Sequence, residues 1–187
     1  MNKTVCTLTY GKKGIKIKNI GDYYQGLVDN KVTVGVHKGA GKNVVQKAIW
    51  NEFGTTPLTI IKPLRRRKPD GTYLIFKAGT VLHIPARPFV RLYLYADKKK
   101  KITNSFSEII RQQTKKLANA KGKALAKEAY NDIGFKARAE MKDIILSNSR
   151  LKPNSPATVE IKGFDYPLVN SGQLVQSIDY RVKKRGA

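Results

Sequence analysis

Residues 102–117 read Ile-Thr-Asn-Ser-Phe-Ser-Glu-Ile-Ile-Arg-Gln-Gln-Thr-Lys-Lys-Leu, and residues 126–144 read Ala-Lys-Glu-Ala-Tyr-Asn-Asp-Ile-Gly-Phe-Lys-Ala-Arg-Ala-Glu-Met-Lys-Asp-Ile. In the first stretch Ile102, Phe106, Ile109, Gln113 and Leu117 recur at spacings of 4, 3, 4 and 4. In the second, Ala126, Tyr130, Ile133, Ala137, Met141 and Ile144 recur at 4, 3, 4, 4 and 3. A period near 3.6 places each set on one stripe, with Lys and Arg on the remaining faces. The spacing predicts two long amphipathic helices, or one helix bent near Gly122. A Met or Tyr on such a stripe reads as core.

Working outward, the pattern changes from helix to strand. Residues 31–37 alternate Val32, Val34 and Val36 with polar or small residues, the period-2 mark of a half-buried strand. Val44–Phe53 has helical spacing and stops at Gly54. Leu58–Leu64 and Thr72–Lys77 flank Lys68-Pro69-Asp70-Gly71, a turn signal, and predict a hairpin with the Arg65-Arg66-Arg67 run at its tip. Val81–Ile84 reads as a further short strand, and Pro85 and Pro88 then stiffen an extended connection. Pro153–Pro156 is a loop, Thr158–Lys162 a short strand or turn, and Ser177–Lys183 a closing strand. The expected class is α+β, a small mostly antiparallel sheet packed against one or two long amphipathic helices. The chain is read as a single domain: an N-terminal arm over 1–30, a sheet-rich part with a short helix over 31–97, a helical part over 98–150, and a C-terminal loop and strand over 151–187.

Charge is the other strong feature. Among 187 residues, 37 Lys+Arg face 13 Asp+Glu, a formal net charge of +24. Residues 1–97 hold 17 basic and 5 acidic side chains, 98–152 hold 15 and 5, and 153–187 hold 5 and 3. The excess therefore runs through the chain rather than forming one basic tail. Arg65-Arg66-Arg67-Lys68 and Lys98-Lys99-Lys100-Lys101 are dense enough to meet a polyanion or a charged partner, though neither interleaves the aromatics that stack on bases. With 41% apolar residues there is material for a core. No run approaches 18 apolar residues, so no membrane partner is expected. A secretory stretch is missing near the N-terminus, and Cys6 is the single cysteine, so a reducing compartment is expected.

No catalytic constellation stands out. His37 and His83 sit in separate strand patterns, and the carboxylates form no pair of the nuclease or glycosidase kind. Gly39-Ala40-Gly41 lacks the Lys-Ser/Thr that completes a phosphate loop. No enzymatic activity, metal or cofactor is expected.

Three segments carry a resemblance. The first is Ala48-Ile49-Trp50-Asn51-Glu52-Phe53-Gly54-Thr55. The second is Ile84-Pro85-Ala86-Arg87-Pro88-Phe89-Val90-Arg91. The third runs from Pro153 to Gly163 and then from Tyr166-Pro167-Leu168-Val169 through Asn170-Ser171-Gly172-Gln173-Leu174 to Ile178. In this order and at this spacing the chain, over about residues 31–183, resembles the tail-completion and neck proteins of tailed bacteriophages, the head–tail joining group of virion morphogenesis proteins. Asn170-Ser171 stands where that group usually has Thr before the Gly, often after Asp, which keeps a small hydroxyl there. The loop Leu58–Phe76 with its Arg run departs more.

The resemblance implies a structural virion protein at the neck or head-proximal tail end, assembled in the bacterial host cytoplasm. Its partners would be further copies in a ring, the neighbouring terminator or tail tube, and the head connector or stopper, with genomic DNA in the channel. The motif residues Glu52, Phe53, Gly54, Pro85, Arg87, Pro88, Phe89, Pro167, Leu168, Ser171, Gly172, Leu174 and Ile178 then serve fold maintenance or subunit contact. Phe89 is expected as a buried anchor. Arg87 is expected to pair with Glu52 or a carbonyl, or to face a neighbouring subunit. Asn170-Ser171-Gly172 is expected to turn and cap the chain before Leu174. The alternative from composition alone is a basic nucleic-acid-binding protein acting through non-specific phosphate contacts.

Overall fold

In the computed structural model, which describes residues 7–10, 13–95, 99–147 and 149–186, the apolar periodicity at 102–147 becomes helix α4 (Lys99–Lys115) and helix α5 (Gly122–Ser147). The chain is α+β, 53% helical and 16% strand, with antiparallel two-stranded ladders. Its contacts divide into two compact units, each built from separated stretches of sequence.

The first unit takes residues 1–34, 97–139 and 180–187. Strands β1 (Thr7–Tyr10) and β2 (Lys13–Lys16) pair antiparallel and lead into helix α1 (Ile17–Asp29). Tyr23, Leu117, Leu125 and Ala126 form a fully buried cluster, with Ile20, Leu27, Ile110 and Ala120 packed on it. Burying each leucine stabilises the fold by about 1.5–3 kcal/mol. Two tyrosine hydroxyls are matched here: Tyr23 donates to the Ile110 carbonyl at 3.1 Å, and Tyr130 donates to the Leu27 carbonyl at 2.7 Å. The Asn19 amide donates to the carbonyls of Leu117 and Ala120, at 3.5 and 3.3 Å, in the connection after α4. Helix ends leave such carbonyls without intrahelical partners. The approach is close: a Cβ on Gly122 would lie 2.1 Å from the Asn19 carbonyl oxygen, and one on Gly26 would lie 2.7 Å from the Ala126 Cβ.

The second unit takes residues 35–96 and 140–179. A 3-10 turn (Lys38–Ala40) precedes helix α2 (Lys42–Phe53), which Gly54 ends at φ 79°, donating its N–H to the Trp50 carbonyl at 2.8 Å. Strand β4 (Leu58–Thr59) pairs antiparallel with β7 (Val81–Leu82), and β5 (Leu64–Arg67) with β6 (Tyr73–Phe76). Helices α3 (Phe89–Tyr95), α6 (Pro156–Lys162) and α7 (Gln173–Ser177) complete it. Its buried apolar residues include Val44, Ala48, Phe89, Tyr93, Met141, Ile145, Leu174 and Ile178. Strands β3 (Asn30–Val36) and β8 (Ile178–Lys184) pair with each other, and both run from one unit into the other, as α5 does.

Several expectations change in detail. The arginine run is strand β5 itself, and the turn at 68–71 carries the tip. Asp70 holds that turn, accepting from the Thr72 hydroxyl at 2.7 Å and the Thr72 N–H at 2.8 Å, which lowers its pKa. Residues 158–162 are helical rather than extended, because Ser155 caps the Thr158 N–H and Pro156 presets the first turn. Late in α5 the inward residue is Ile145, fully buried, where the stripe pointed to Ile144. Within 1–30, residues 17–29 form a helix whose Tyr23 is at the centre of a core. Packing of α5 on strand shows at Gly134, where a Cβ would lie 2.3 Å from the Tyr180 ring of β8.

Candidate functional site

The three motif segments meet in the second unit, and polar groups hold them together. Helix α2 ends with Glu52 buried. Its carboxylate accepts from the Val90 and Arg91 backbone N–H groups, both at 3.0 Å, at the start of α3. Those are orphan donors of a helix N-terminus, where a negative charge is favoured. The Arg91 guanidinium donates to the same carboxylate at 3.1 Å and to the Glu52 carbonyl at 2.5 Å, and lies over the Phe53 ring at 5.1 Å. Two backbone bonds tighten the join: Arg87 N–H to the Asn51 carbonyl at 2.6 Å, and Thr55 N–H to the Ile84 carbonyl at 3.0 Å. Gly54 has no room for a side chain, since a Cβ would lie 3.1 Å from both Ala86 N and the Ile84 carbonyl oxygen.

Arg87 joins the second segment to the third. Its Nε donates to the Lys152 carbonyl at 2.7 Å, and one Nη donates to the Pro153 carbonyl at 2.9 Å and the Asn154 side-chain oxygen at 3.4 Å. Burial pulls its pKa down, and the Asp165 charge opposes that. Of the partners expected for it, the carbonyls are the ones used, while Glu52 bonds α3. The loop is fixed again where the Asn154 N–H donates to Asp165 at 3.2 Å. Lys162 donates to the Tyr166 carbonyl at 2.5 Å and lies 4.6 Å over the Phe164 ring; burial, then the Arg87 charge, lowers its pKa.

Beyond this loop Pro167 is buried and Leu168 takes φ 62°, a left-handed conformation that a branched side chain adopts only when its surroundings impose it. Gly172, at φ 73°, opens α7 with no side-chain cap, so glycine geometry makes the turn that a Ser171 cap was expected to share. Leu174 and Ile178 return to the core, and Phe89 is buried at 1% exposure. A groove of about 840 Å³ lies along these segments, lined by Ile84, Pro85, Asn154, Leu168, Ser171 and Gly172 among others. Lys47, Arg87, Lys152 and Lys162 also line it, and no carboxylate does.

Phe53 is 67% exposed, so it is a surface residue of the motif, and Ile49, Trp50, Leu94 and Tyr95 are exposed on the same two helices, α2 and α3. Pro85 and Pro88 are half-buried. In the basic cluster Arg65, Arg66 and Arg67 are exposed, while Lys68 pairs with Asp70 at 4.0 Å and Glu160 at 3.9 Å. Of the second cluster, Lys98 lies outside the described residues, as does Cys6, and 99–101 lie in the first turn of α4. Arg91, Asn154, Lys162 and Asp165 were not singled out from the sequence. Arg91 was detectable in principle, lying in the helical turn that follows Pro88. Among the described residues no group of three or more His, Cys, Asp or Glu could hold a metal, and no helix is long and apolar enough to cross a membrane. No family model, no curated protein and no solved structure matches this chain.

Proposed function

We propose that this chain is a structural assembly protein of the tailed-phage neck or head-proximal tail end, forming a ring that completes the tail and joins it to the DNA-filled head. The observation that supports this reading is the pairwise bonding of the three resemblance-bearing segments: Glu52 to α3, Arg87 to the 152–154 loop, and the Asn51 and Ile84 carbonyls to their neighbours. Motif residues so arranged shape a binding body. They leave Ile49, Trp50, Phe53 and Tyr95 exposed on α2 and α3, apolar surface of the kind a partner subunit covers. On this reading the partners are further copies of the chain, the terminator or tail tube on one side, and the connector or stopper on the other. No chemical step and no cofactor are involved.

The test is electron microscopy of particles assembled without this chain. The expected result is an accumulation of unjoined filled heads and tails. Normal joining in its absence overturns the proposal.

A further inference from the structure

The β5–β6 ribbon has two unlike faces. Register pairs Leu64 with Phe76, Arg65 with Ile75, Arg66 with Leu74, and Arg67 with Tyr73. Side chains alternate along strands, so Leu64, Arg66, Leu74 and Phe76 share one face and Arg65, Arg67, Tyr73 and Ile75 the other. The three apolar residues of the first set are half-buried and Arg66 among them is exposed; the second set is exposed throughout, with Tyr73 at 50% and Ile75 at 56%. The Arg65 guanidinium lies 4.7 Å over the Tyr73 ring, a cation–π contact on this exposed face. No ion pair joins Arg65 or Arg67 to a carboxylate among the described residues, although Lys68, the next residue in the chain, has two.

We infer that this outer face binds the phosphate backbone of duplex nucleic acid, with Arg65 and Arg67 as the phosphate contacts. The two are one strand repeat apart, about 6.6 Å, and a two-stranded ribbon is narrow enough for a major groove about 12 Å wide. Guanidinium forks suit phosphate oxygens, and the net charge of +24 steers a polyanion toward the chain. The reading needs no ring and no neck, so it stands or falls separately from the proposed function.

The experiment is a fluorescence-anisotropy titration of a labelled 20-base-pair duplex of arbitrary sequence with the full chain, at several salt concentrations. Each phosphate contact contributes a slope of about −0.9 in log K against log salt, and so about eightfold at 0.1 M. Arg65→Ala/Arg67→Ala is expected to flatten the slope by about 1.8 and weaken binding about 60-fold at 0.1 M. Arg65→Lys/Arg67→Lys, which keeps both charges, is expected to keep the slope. Lys123→Ala/Lys127→Ala, a matched charge loss on exposed positions of α5, is expected to change it by less than about one. Three results overturn the inference: no duplex binding at low salt, equal effects of the ribbon and α5 alanine pairs, or displacement of the duplex by poly-glutamate at equal charge. Unchanged circular dichroism and Trp50 emission in each variant show that a loss is not unfolding.

Discussion

Replacing Glu52 by alanine isolates what holds α3 in place. The carboxylate, 7% exposed, accepts from Val90 N–H, Arg91 N–H and the Arg91 guanidinium, whose side chain is 46% exposed. Without it the guanidinium returns to water, so that part of the loss is small, within the ~0.2–1 kcal/mol of a surface ion pair. The backbone donors have no such recourse. Each donor left without a partner in this part-buried join costs about 1–2 kcal/mol, and the charge facing the helix N-terminus is lost as well. Glu52→Ala is therefore expected to destabilise the second unit by about 3 kcal/mol, and Arg91→Ala by about 1. Trp50, the only tryptophan, lies two residues from Glu52 in α2, so its emission during urea unfolding reports on this region. Equal losses for the two variants would mean that the ion pair holds the junction. A Glu52→Ala loss below about 1 kcal/mol would refute the capping role altogether.

Gly134→Ala adds a methyl 2.3 Å from the Tyr180 ring. Overpacking of about 1–3 kcal/mol should outweigh the helix-propensity gain of about 1, and circular dichroism at rising temperature should show a lower midpoint. Alkaline pH should destabilise the chain through buried tyrosines. Burial, with the Glu140 charge adding to it, pushes Tyr93 up to about 12, and burial likewise raises Tyr23. Both hold their protons more tightly folded than unfolded, so their contribution is complete below about pH 10 and lost as pH climbs toward about 12. Urea midpoints across that range should fall, and fall less in Tyr93→Phe; a midpoint that holds steady contradicts the assignment.

Long periodic segments were the legible part of the fold, because burial on one helix face imposes a repeat that survives many exposed lysines. Helix α1 was harder to see. Ile20, Tyr23 and Leu27 keep helical spacing, but Gly21 and Gly26 dilute it, and the reason for Gly26 lies in Ala126, a hundred positions away. Helix α6 was misread because Thr158-Val159-Glu160-Ile161 alternates like a strand, while Ser155 and Pro156 carry the stronger signal of a helix start. The motif segments were legible as segments; their bonding was not. Charge and position offered Arg87 either Glu52 or a carbonyl; Glu52 meets backbone donors and Arg91 instead, and Arg87 meets carbonyls 65 and 66 positions on. Such pairings depend on how the chain folds back, which local spacing does not encode.

The division of the first unit among three distant stretches also sets an order of events in time. Residues 17–29 pack with residues about a hundred positions later, and Arg185 donates its N–H to the Asp29 carbonyl at 2.7 Å. During synthesis α1 therefore waits, with Tyr23 uncovered, until α4 and α5 have left the ribosome, and the bond to Asp29 forms only after residue 185 follows. Contacts of such long sequence separation close slowly and leave apolar surface open meanwhile. Until those later stretches emerge the apolar face of α1 stays open, and a chaperone that shields Tyr23 and Leu27 would act on it before they do.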